Sequence, residues 1–325
     1  MILVTGASGL LGQHVLAELT ARGKKVRALY RNHIPTLYHS IPSSLVDWVE
    51  GDLLDVPSLQ DAMQEVTQVF HCAAMVSYDK RFQEEMQEVN VTGTAHLVNC
   101  CLEKPNLRLV HVSSIATLGG GLPEKLINEE NRWQESESHS NYAVSKYRAE
   151  LEVWRGIAEG LQAVIVNPGI ILGKGDPSRS STNLFELVRN EFPYYTEGVT
   201  GWVDAVDVAK VMCLLMDSTI QEQRFVLVAE NKSYVDVFTM MAHAMRVKPP
   251  HRLAKPWMTE LVWRWEYLKS LVGGKVATIT KETARAAHEK KYYSGKKIED
   301  VLPDFKYQPL EHSIERICSS KSTVL

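Results

Sequence analysis

A tyrosine and a lysine four residues apart in the segment YAVSK are the first candidates for chemistry in this sequence. Residues at this separation share one face of a helix, so Tyr142 and Lys146 are predicted to lie side by side. A free tyrosine has a pKa of about 10 and is a poor proton shuttle at neutral pH. A cation within roughly 4–6 Å favours the phenolate, so we expect Lys146 to lower the pKa of Tyr142. Such pairs also arise by chance, and their neighbours decide between the two interpretations.

Two serines are predicted to lie close to this pair, at the edge of the sheet where ligands bind. Ser113 and Ser114 come at the end of residues 108–113, which are predicted to form a strand. Doubly wound sheets bind ligands at the carboxyl ends of their strands. A Ser114 hydroxyl at this edge can hold a substrate oxygen while Tyr142 transfers a proton. Without the tyrosine, the serines would indicate only the end of a strand.

The segment TGASGLLG, residues 5–12, follows an apolar strand and opens a helical pattern, which is typical of a dinucleotide-binding loop. Gly6 allows a tight turn, Gly9 lets the backbone approach a pyrophosphate, and Gly12 lets helix and strand pack closely. A helix N-terminus favours phosphate. The alternative is a tight turn without a ligand. The loop residues assigned to the cofactor are Gly6, Ser8, Gly9, Leu10, Leu11 and Gly12.

The end of the second predicted strand indicates which dinucleotide is bound. It lacks the acidic residue that would hold a ribose 2′-hydroxyl, and it carries Arg31 instead. Arginine suits bidentate phosphate binding, so NADP is favoured over NAD. An exposed arginine at a strand end is the alternative interpretation. After the third strand, Asp52 is predicted to accept a hydrogen bond from the adenine amino group, with Leu53 beside it.

The elements that must position these residues alternate along the first half of the chain. Strands are predicted at residues 2–5, 25–29, 45–50, 68–72, 108–113 and 163–167, with helices at 12–22 and 91–103. This alternation predicts an α/β fold, a Rossmann-type doubly wound parallel sheet. We expect a dinucleotide-binding domain at residues 1–167, with 202–229 returning to it as a strand, a helix and a strand. Residues 168–201 and 230–325 should form a smaller C-terminal substrate-binding cap.

Composition narrows the classes of partner. With 325 residues, 45% of them hydrophobic, the chain can bury a sizeable core, and a net charge of −3 argues against nucleic acid. Five cysteines without CxxC pairs predict reduced thiols and no metal site. A strand at the first methionine and no run of 18 apolar residues predict a cytoplasmic protein without stable membrane insertion.

Seven motifs in order resemble the extended short-chain dehydrogenase/reductase family, which includes NAD-dependent epimerases and dehydratases. They are TGASGLLG, GDLLD at 51–55, HCAA at 71–74, NVTGT at 90–94, VSS at 112–114, YAVSK at 142–146 and NPGIILG at 167–173. The match covers about the first 210 residues. The segments VRALYR at 26–31, GWVDAVDVA at 201–209 and KYYSGKK at 291–297 look more like the dihydroflavonol reductase and 3β-hydroxysteroid dehydrogenase-like branch.

The resemblance implies a catalytic triad of Ser114, Tyr142 and Lys146, with Lys146 also on the nicotinamide ribose. It implies that Asn90 braces the central helix and that the protein pairs as a homodimer through the tyrosine helix and its neighbour. The further cofactor positions that it implies are Ala73, Ala74, Val112, Pro168, Gly169, Ile170 and Ile171. The substrate positions assigned are Met75, Tyr78, Ser114 and Tyr195.

The predicted cap differs in its charged residues from the cap of the sugar-nucleotide enzymes of this family, which generally bind a diphosphate through arginines. Residues 191–202 contain no arginine, and only Arg179 and Arg189 lie nearby. The segment carries four aromatic residues instead, which favours a flatter, less anionic substrate. The alternative is that these aromatics only fill the cap core. They are Phe192, Tyr194, Tyr195 and Trp202.

Three functions stay open at this point. The first is a reductase or dehydrogenase that exchanges hydride with a carbonyl or alcohol substrate, and the second is an epimerase or dehydratase that regenerates its cofactor in each cycle. The third is an NADP-sensing regulatory protein, which would not need the triad.

An apolar helical stripe lies between residues 257 and 272 and is expected to be buried against the cap, with docking on a membrane or a lipid as the alternative.

Overall fold

The computed structural model describes residues 1–35, 40–120, 126–135, 139–175, 181–273 and 279–319, without the side chains of 270–273. Arg179 and the side chain of Val272, the last residue of the apolar stripe predicted between residues 257 and 272, therefore lie outside the described residues. The strands within these ranges are β1 Ile2–Thr5, β2 Val26–Tyr30, β3 Val46–Glu50, β4 Gln68–His71, β5 Arg108–Val112, β6 Gln162–Pro168, β7 Ile170–Leu172, β8 Tyr194–Tyr195, β9 Val199–Asp204, β10 Gln223–Leu227, β11 Glu230–Ser233 and β12 Arg252–Leu253.

Seven of these strands form one parallel sheet in the order β3-β2-β1-β4-β5-β6-β10. Its central strands are apolar on both faces and almost fully buried, as expected of a sheet covered by helices on each side. The order reverses between β1 and β4, so the carboxyl ends of these two strands border a crevice. The predicted Rossmann-type sheet is confirmed, and each of its predicted strands ends within one residue of an observed one.

Helices cover both faces of this sheet. α1 and α7 pack on one face through Val15, Leu16 and Val208, and α2, α4 and α5 cover the other through residues such as Leu97 and Val153. The helices of the described chain are α1 Leu10–Ala21, α2 Val56–Ala62, α3 Gln83–Gln87, α4 Gly93–Leu102, α5 Asn141–Ala158, α6 Thr182–Arg189, α7 Ala205–Asp217, α8 Tyr234–Met245, α9 Pro256–Gly273, α10 Lys281–Ala286, α11 Lys296–Val301 and α12 Leu310–Ser319.

A wide helical turn separates α3 from α4, where the sequence predicted one helix starting at residue 91. Glu88–Thr92 is π-helical, with Asn90 inside it. The Asn90 side chain accepts the Met75 N–H at 2.7 Å and donates to the Met75 carbonyl and the Ser145 hydroxyl, each at 2.9 Å. A π-helical turn widens the backbone and often lies at a functional site. Asn90 here ties the loop after β4 to α5.

A second region, formed largely by residues of the predicted cap, contains two small sheets and a core of its own. β11, β9 and β7 form one sheet, and β8 pairs with β12 in the other. Trp202 lies fully buried at the centre of this region, where its indole donates to the Lys232 carbonyl at 3.0 Å. Trp202 is therefore a core residue and not a wall of the site, as the alternative interpretation of the cap aromatics held. Phe192, Tyr194 and Tyr195 remain partly exposed.

Part of the predicted cap returns to the main domain. Ile298 and Phe305 join the core beneath β10, and the Lys297 ammonium donates to the Arg224 carbonyl at 3.0 Å. An edge strand with a buried face needs such a cover, which α11 supplies. The cap predicted over residues 230–325 therefore excludes α11 and Phe305, whereas α12 packs in the core of the second region through Leu310 and Ile314. β9 also differs from the prediction, since it pairs in the second region and not in the main sheet.

Candidate active site

The first turn of α5 carries Tyr142 to the carboxyl edge of the main sheet. α5 begins after Ser140, whose hydroxyl accepts the Ala143 N–H at 3.0 Å and caps the helix. Lys146 follows one turn later and is 3% exposed. Its ammonium donates to the Val112 carbonyl at 2.7 Å, at the end of β5. The helix and the strand are thus joined directly beneath Tyr142.

The electrostatics of the pair differ from the expectation. Burial raises the pKa of Tyr142, and a hydrogen bond with the Ser114 side chain opposes this shift. The net lowering of this pKa predicted from the Tyr-Lys spacing is therefore wrong, because burial outweighs the influences that favour the phenolate. Burial lowers the pKa of Lys146 to about 8, against the opposing charge of Glu150. At neutral pH the phenol is therefore protonated and the ammonium charged.

Ser114 is held so that its hydroxyl reaches Tyr142. It follows β5 and caps a short 3₁₀ turn, where its oxygen accepts the Ala116 N–H at 3.1 Å. Its carbonyl accepts the Asn167 amide at 3.2 Å and the Thr117 hydroxyl at 2.9 Å. Ser114 and Tyr142 together present two hydroxyl groups at one place on the cleft floor.

A buried carboxylate that the sequence analysis missed organises this edge. Glu150 is 2% exposed and lies one turn after Lys146 on α5. It pairs with Arg224 of β10 at 3.1 Å, which compensates its buried charge. Spacing could have revealed it, since residues 142, 146 and 150 share one helical face. Its carboxylate accepts four further hydrogen bonds, from Ser113 at 2.6 Å, Thr117 at 2.8 Å, Asn167 at 2.9 Å and Trp154 at 3.2 Å.

The glycine-rich loop fits a dinucleotide phosphate. Gly6 has φ +65°, and a Cβ there would lie 2.5 Å from the Ala73 nitrogen. A Cβ on Gly12 would overlap the Gly6 carbonyl, so only glycine lets α1 approach the turn. α1 starts after Gly9 with no side-chain cap and no acidic residue in its first turn. Its terminal N–H groups and positive dipole end are therefore available to an anion.

Four further residues that were predicted to bind the cofactor lie near the ends of β2, β3 and β4. Arg31 is half exposed at the end of β2 and pairs with Asp52 at 3.9 Å. Asp52 also accepts the Leu54 N–H at 3.0 Å. Leu53 is buried against α4 at Gly93, and Ala73 donates its N–H to Thr5 at 3.3 Å. Asp52, Leu53 and Ala73 do not line the cleft described next.

One cleft of about 3170 Å³ joins the glycine loop, the triad and the cap. It is large enough for a dinucleotide and a second molecule together. The structure thus brings together most of the residues predicted from the sequence. Those that line it are Gly6, Ser8, Gly9, Leu10, Leu11, Gly12, Arg31, Ala74, Met75, Tyr78, Val112, Ser114, Tyr142, Lys146, Pro168, Gly169, Ile170, Ile171 and Tyr195.

The cap end of the cleft is aromatic and its arginines are paired. The ring of Tyr78 lies 5.8 Å from that of Tyr142, centroid to centroid, and Tyr195 and Met75 line the same space. Each arginine that the described part of the cap contributes to the lining has a carboxylate partner, which leaves none uncommitted for a diphosphate. The pairs are Arg189 with Glu186, Arg285 with Glu289 and Arg316 with Asp204.

A second acidic residue of the cleft was also missed. Glu282 of α10 lines the cleft, and one of its carboxylate oxygens accepts the Asn141 N–H at 3.3 Å, at the N-terminus of α5. The other oxygen is buried without a protein hydrogen-bond partner, and burial raises the pKa of the group. No local motif marks this residue, because only the fold brings α10 to the start of α5.

The parallel sheet, the glycine loop at its switch point and the Ser-Tyr-Lys cluster define a nucleotide-dependent enzyme of Rossmann type. Residues 2–229 match the model of the NAD dependent epimerase/dehydratase family. The chain belongs to this family and is an enzyme of the extended short-chain dehydrogenase/reductase type that uses NAD(P).

Known relatives cover most of the chain. It is 31% identical to sterol demethylase protein B of Methylococcus capsulatus, over 78% of this chain and 77% of that one. A putative dihydroflavonol 4-reductase of Synechocystis is 27% identical over 90% and 87%. The crystal structure of gox2253 covers 97% of the chain and 96% of its own, with TM-score 0.80 and 29% identity. The Thermus thermophilus UDP-glucose 4-epimerase complex with NAD shares the fold over 99% of both chains, with TM-score 0.75 and 21% identity.

Replacement of Glu150 by glutamine should shift the pH dependence of activity. The Glu150 charge raises the pKa of Lys146 towards its ordinary value, so Glu150→Gln lowers that pKa further below about 8. If the charged ammonium is required, kcat/KM in the wild type falls as pH rises through about 8, and the variant loses activity at lower pH.

The control is Glu159→Gln, which removes an exposed carboxylate at the C-terminal cap of the same helix. It should leave the alkaline limb of the kcat/KM profile in place. An unshifted limb in Glu150→Gln would show that this carboxylate does not act through Lys146.

Proposed function

We propose that the protein is an NADP(H)-dependent oxidoreductase that reduces a ketone or aldehyde, or oxidises the corresponding alcohol. The observation that carries the proposal is the hydrogen-bonded pair of Ser114 and Tyr142 on the cleft floor, with the Lys146 ammonium buried beneath it. Two converging hydroxyls suit a carbonyl oxygen, which accepts two hydrogen bonds. The raised pKa of Tyr142 keeps its proton in place at neutral pH, as a reduction requires.

Ser114, Tyr142 and Lys146 have different roles in the reaction at the carbonyl oxygen. Ser114 donates a hydrogen bond that holds the carbonyl oxygen, and Tyr142 donates its proton to that oxygen as negative charge develops. Lys146 stabilises the phenolate that remains, because its ammonium carries a positive charge in a buried setting. Its bond to Val112 and the Glu150 network fix the distance between α5 and β5. In the alcohol direction, the same groups act in reverse.

NADPH would lie along the glycine loop and the carboxyl ends of β1 and β4. Its pyrophosphate would meet the N-terminus of α1, and Arg31 would bind the 2′-phosphate, where an acidic residue would repel it. Lys146 would hold the nicotinamide ribose beside residues 168–171. When bound, the cofactor supplies the hydride that reduces the carbonyl carbon.

The substrate class follows from the cap. Its aromatic lining and paired arginines favour a flat, weakly charged molecule over a sugar nucleotide. Relatives named for sterol demethylation and dihydroflavonol reduction support the same direction. The epimerase or dehydratase alternative would need diphosphate contacts, and the regulatory alternative would have no use for the intact cluster of Ser114, Tyr142 and Lys146.

We also propose a cytoplasmic homodimer. Its five cysteines are free, which suits a reducing compartment. The outer surface of α5 exposes Leu151, 45% accessible, next to α4, and these helices would form the interface.

Light scattering after size exclusion should give twice the mass of one chain, and Leu151→Glu should return the mass to one chain. A monomeric wild-type protein would contradict the pairing.

Removal of the Tyr142 hydroxyl should abolish turnover without loss of cofactor binding. Tyr142→Phe should lower kcat/KM for carbonyl reduction by roughly 10²–10⁴-fold, because the proton donor is lost. NADPH affinity, measured by fluorescence, should stay nearly unchanged.

A matched control lies five residues further along α5. Tyr147 is stacked on Trp133 at 4.3 Å and does not line the cleft. Tyr147→Phe should therefore retain activity. Retention of most activity by Tyr142→Phe would remove this tyrosine from the mechanism.

The cofactor preference should depend on Arg31. Arg31→Glu should lower the ratio of kcat/KM for NADPH to that for NADH by roughly tenfold to a hundredfold, as expected for the loss of a charge-assisted hydrogen bond. Lys24→Glu, the same charge change before β2 at the opposite edge of the sheet, should leave the ratio unchanged. A wild-type enzyme that prefers NADH would contradict the assignment of NADP.

A further inference from the structure

The outer face of α9 exposes a stripe of large apolar side chains. Burial of this stripe against the cap, as expected from the sequence, is wrong. Four positions at helical spacing share one side of α9, so their exposure is continuous and not scattered. A contiguous apolar stripe in water usually marks a binding surface. The four side chains and their exposed fractions are Trp257 at 61%, Leu261 at 58%, Trp265 at 60% and Leu268 at 55%.

The opposite side of α9 is attached to the protein. Thr259, about 200° around the helix from Trp257, binds His288 at 2.9 Å, and Trp263 is partly buried. Met258 and Val262, which lie between the stripe and Thr259 around the helix, line the cleft. α9 is therefore held by its inner side, next to the cap end of the cleft, while the stripe faces away from the protein.

We propose that the stripe on α9 docks on the surface of a lipid bilayer. Tryptophan and tyrosine are the side chains that settle at the membrane interface, where the ring is apolar and its tip stays wet. The stripe contains two tryptophans, and Tyr267, 51% exposed, lies beside it. Arg264 and Lys269 flank it, with the Lys269 ammonium 5.4 Å from the centre of the Trp265 ring. Such long cationic side chains keep their charge in water while their stems cover apolar surface.

The charges around the stripe indicate what drives the binding. Arg264 pairs with Glu260 at 2.8 Å, and Lys269 pairs with Glu266 at 3.2 Å. These pairs neutralise most of the local charge. Attraction to anionic headgroups is therefore small, and burial of apolar surface should supply the affinity. Binding is expected on zwitterionic lipid and should change little with salt.

A bilayer fits the stripe better than a second copy of the chain does. A stable protein interface buries about 800 Å² on each partner with close shape complementarity. One helix-wide row of four side chains offers less area than that, whereas a bilayer needs no matching shape. None of the helices in the described residues is both long and apolar enough to span a membrane. Docking at the surface is the mode that suits α9.

The position of α9 connects this surface to the proposed reaction. A helix with its side chains is about 10 Å thick, so lipid on the outer side of α9 would lie within about one helix width of the cleft. Met258 and Val262 give the cleft wall an apolar lining there. A lipophilic carbonyl compound could pass from the bilayer into the cleft. This last step depends on the proposed substrate class, whereas docking does not.

The test is co-sedimentation of the full-length chain with vesicles of phosphatidylcholine, with and without about one-tenth phosphatidylserine. The wild type should sediment with both, and binding should change less than about threefold between roughly 0.05 and 0.5 M salt. Leu261→Ser/Trp265→Ser should weaken binding by about tenfold or more, because two apolar anchors are lost. Both residues are exposed, so the melting temperature should be unchanged, which circular dichroism checks.

The control is Leu126→Ser/Tyr292→Ser, which removes two exposed large side chains outside α9 and the cleft, 55% and 46% accessible. It should bind vesicles like the wild type. Absence of sedimentation with either lipid, or equal loss in both double variants, would overturn the proposal. A smaller assembly on size exclusion for the α9 variant alone would assign the stripe to a second copy. Vesicle binding is measured without turnover, so its result is separate from that of the reductase assay.

Discussion

The burial of Glu150 is the constraint on which the site depends. A carboxylate with 2% exposure must be compensated, and the compensation comes from several parts of the fold. Arg224 of β10 supplies the opposite charge, Asn167 of β6 an amide, and Ser113 at the end of β5 a hydroxyl. One turn earlier on α5, Lys146 binds the carbonyl of the residue before Ser113. These bonds fix the tyrosine helix against β5, β6 and β10, and the carboxyl ends of β5 and β6 line the cleft.

The same arrangement explains how a buried pair can do proton chemistry. Burial raises the pKa of Tyr142 and lowers that of Lys146, so two groups with nearly equal pKa values in water come to differ, with the ammonium the stronger acid. The Glu150 charge limits the shift on the lysine, so the ammonium keeps its proton at neutral pH. The site therefore starts with a neutral phenol beside a cation, the form that can give a proton to a carbonyl oxygen. In the proposed function, the paired arginines and the aromatic lining on the far side of the cleft would select against anionic substrates.

The sequence predicted the main sheet well, because β-branched runs and glycine turns are local signals. Local signals also predicted the site residues, because strand ends and the i, i+4 spacing place the glycine loop, Ser114, Tyr142 and Lys146. Glu282 and Arg224 were not, because only the tertiary fold brings them to α5. The exposure of Trp257 and Trp265 was missed for a related reason: helical periodicity shows that a stripe exists, but it does not show what the stripe contacts. The α11 segment was assigned to the cap because no local pattern indicates which edge of a sheet it covers.

The most direct test of the central claim is transfer of deuterium from NADPH labelled at the reactive C4 position to pooled ketones and aldehydes, including flavonoid, steroid and aliphatic compounds. Mass spectrometry should find an alcohol one mass unit heavier, with the label on the carbinol carbon, and equal oxidation of NADPH. Cofactor that stays bound and reduced, with no label in any product, would contradict carbonyl reduction and favour the epimerase or dehydratase alternative.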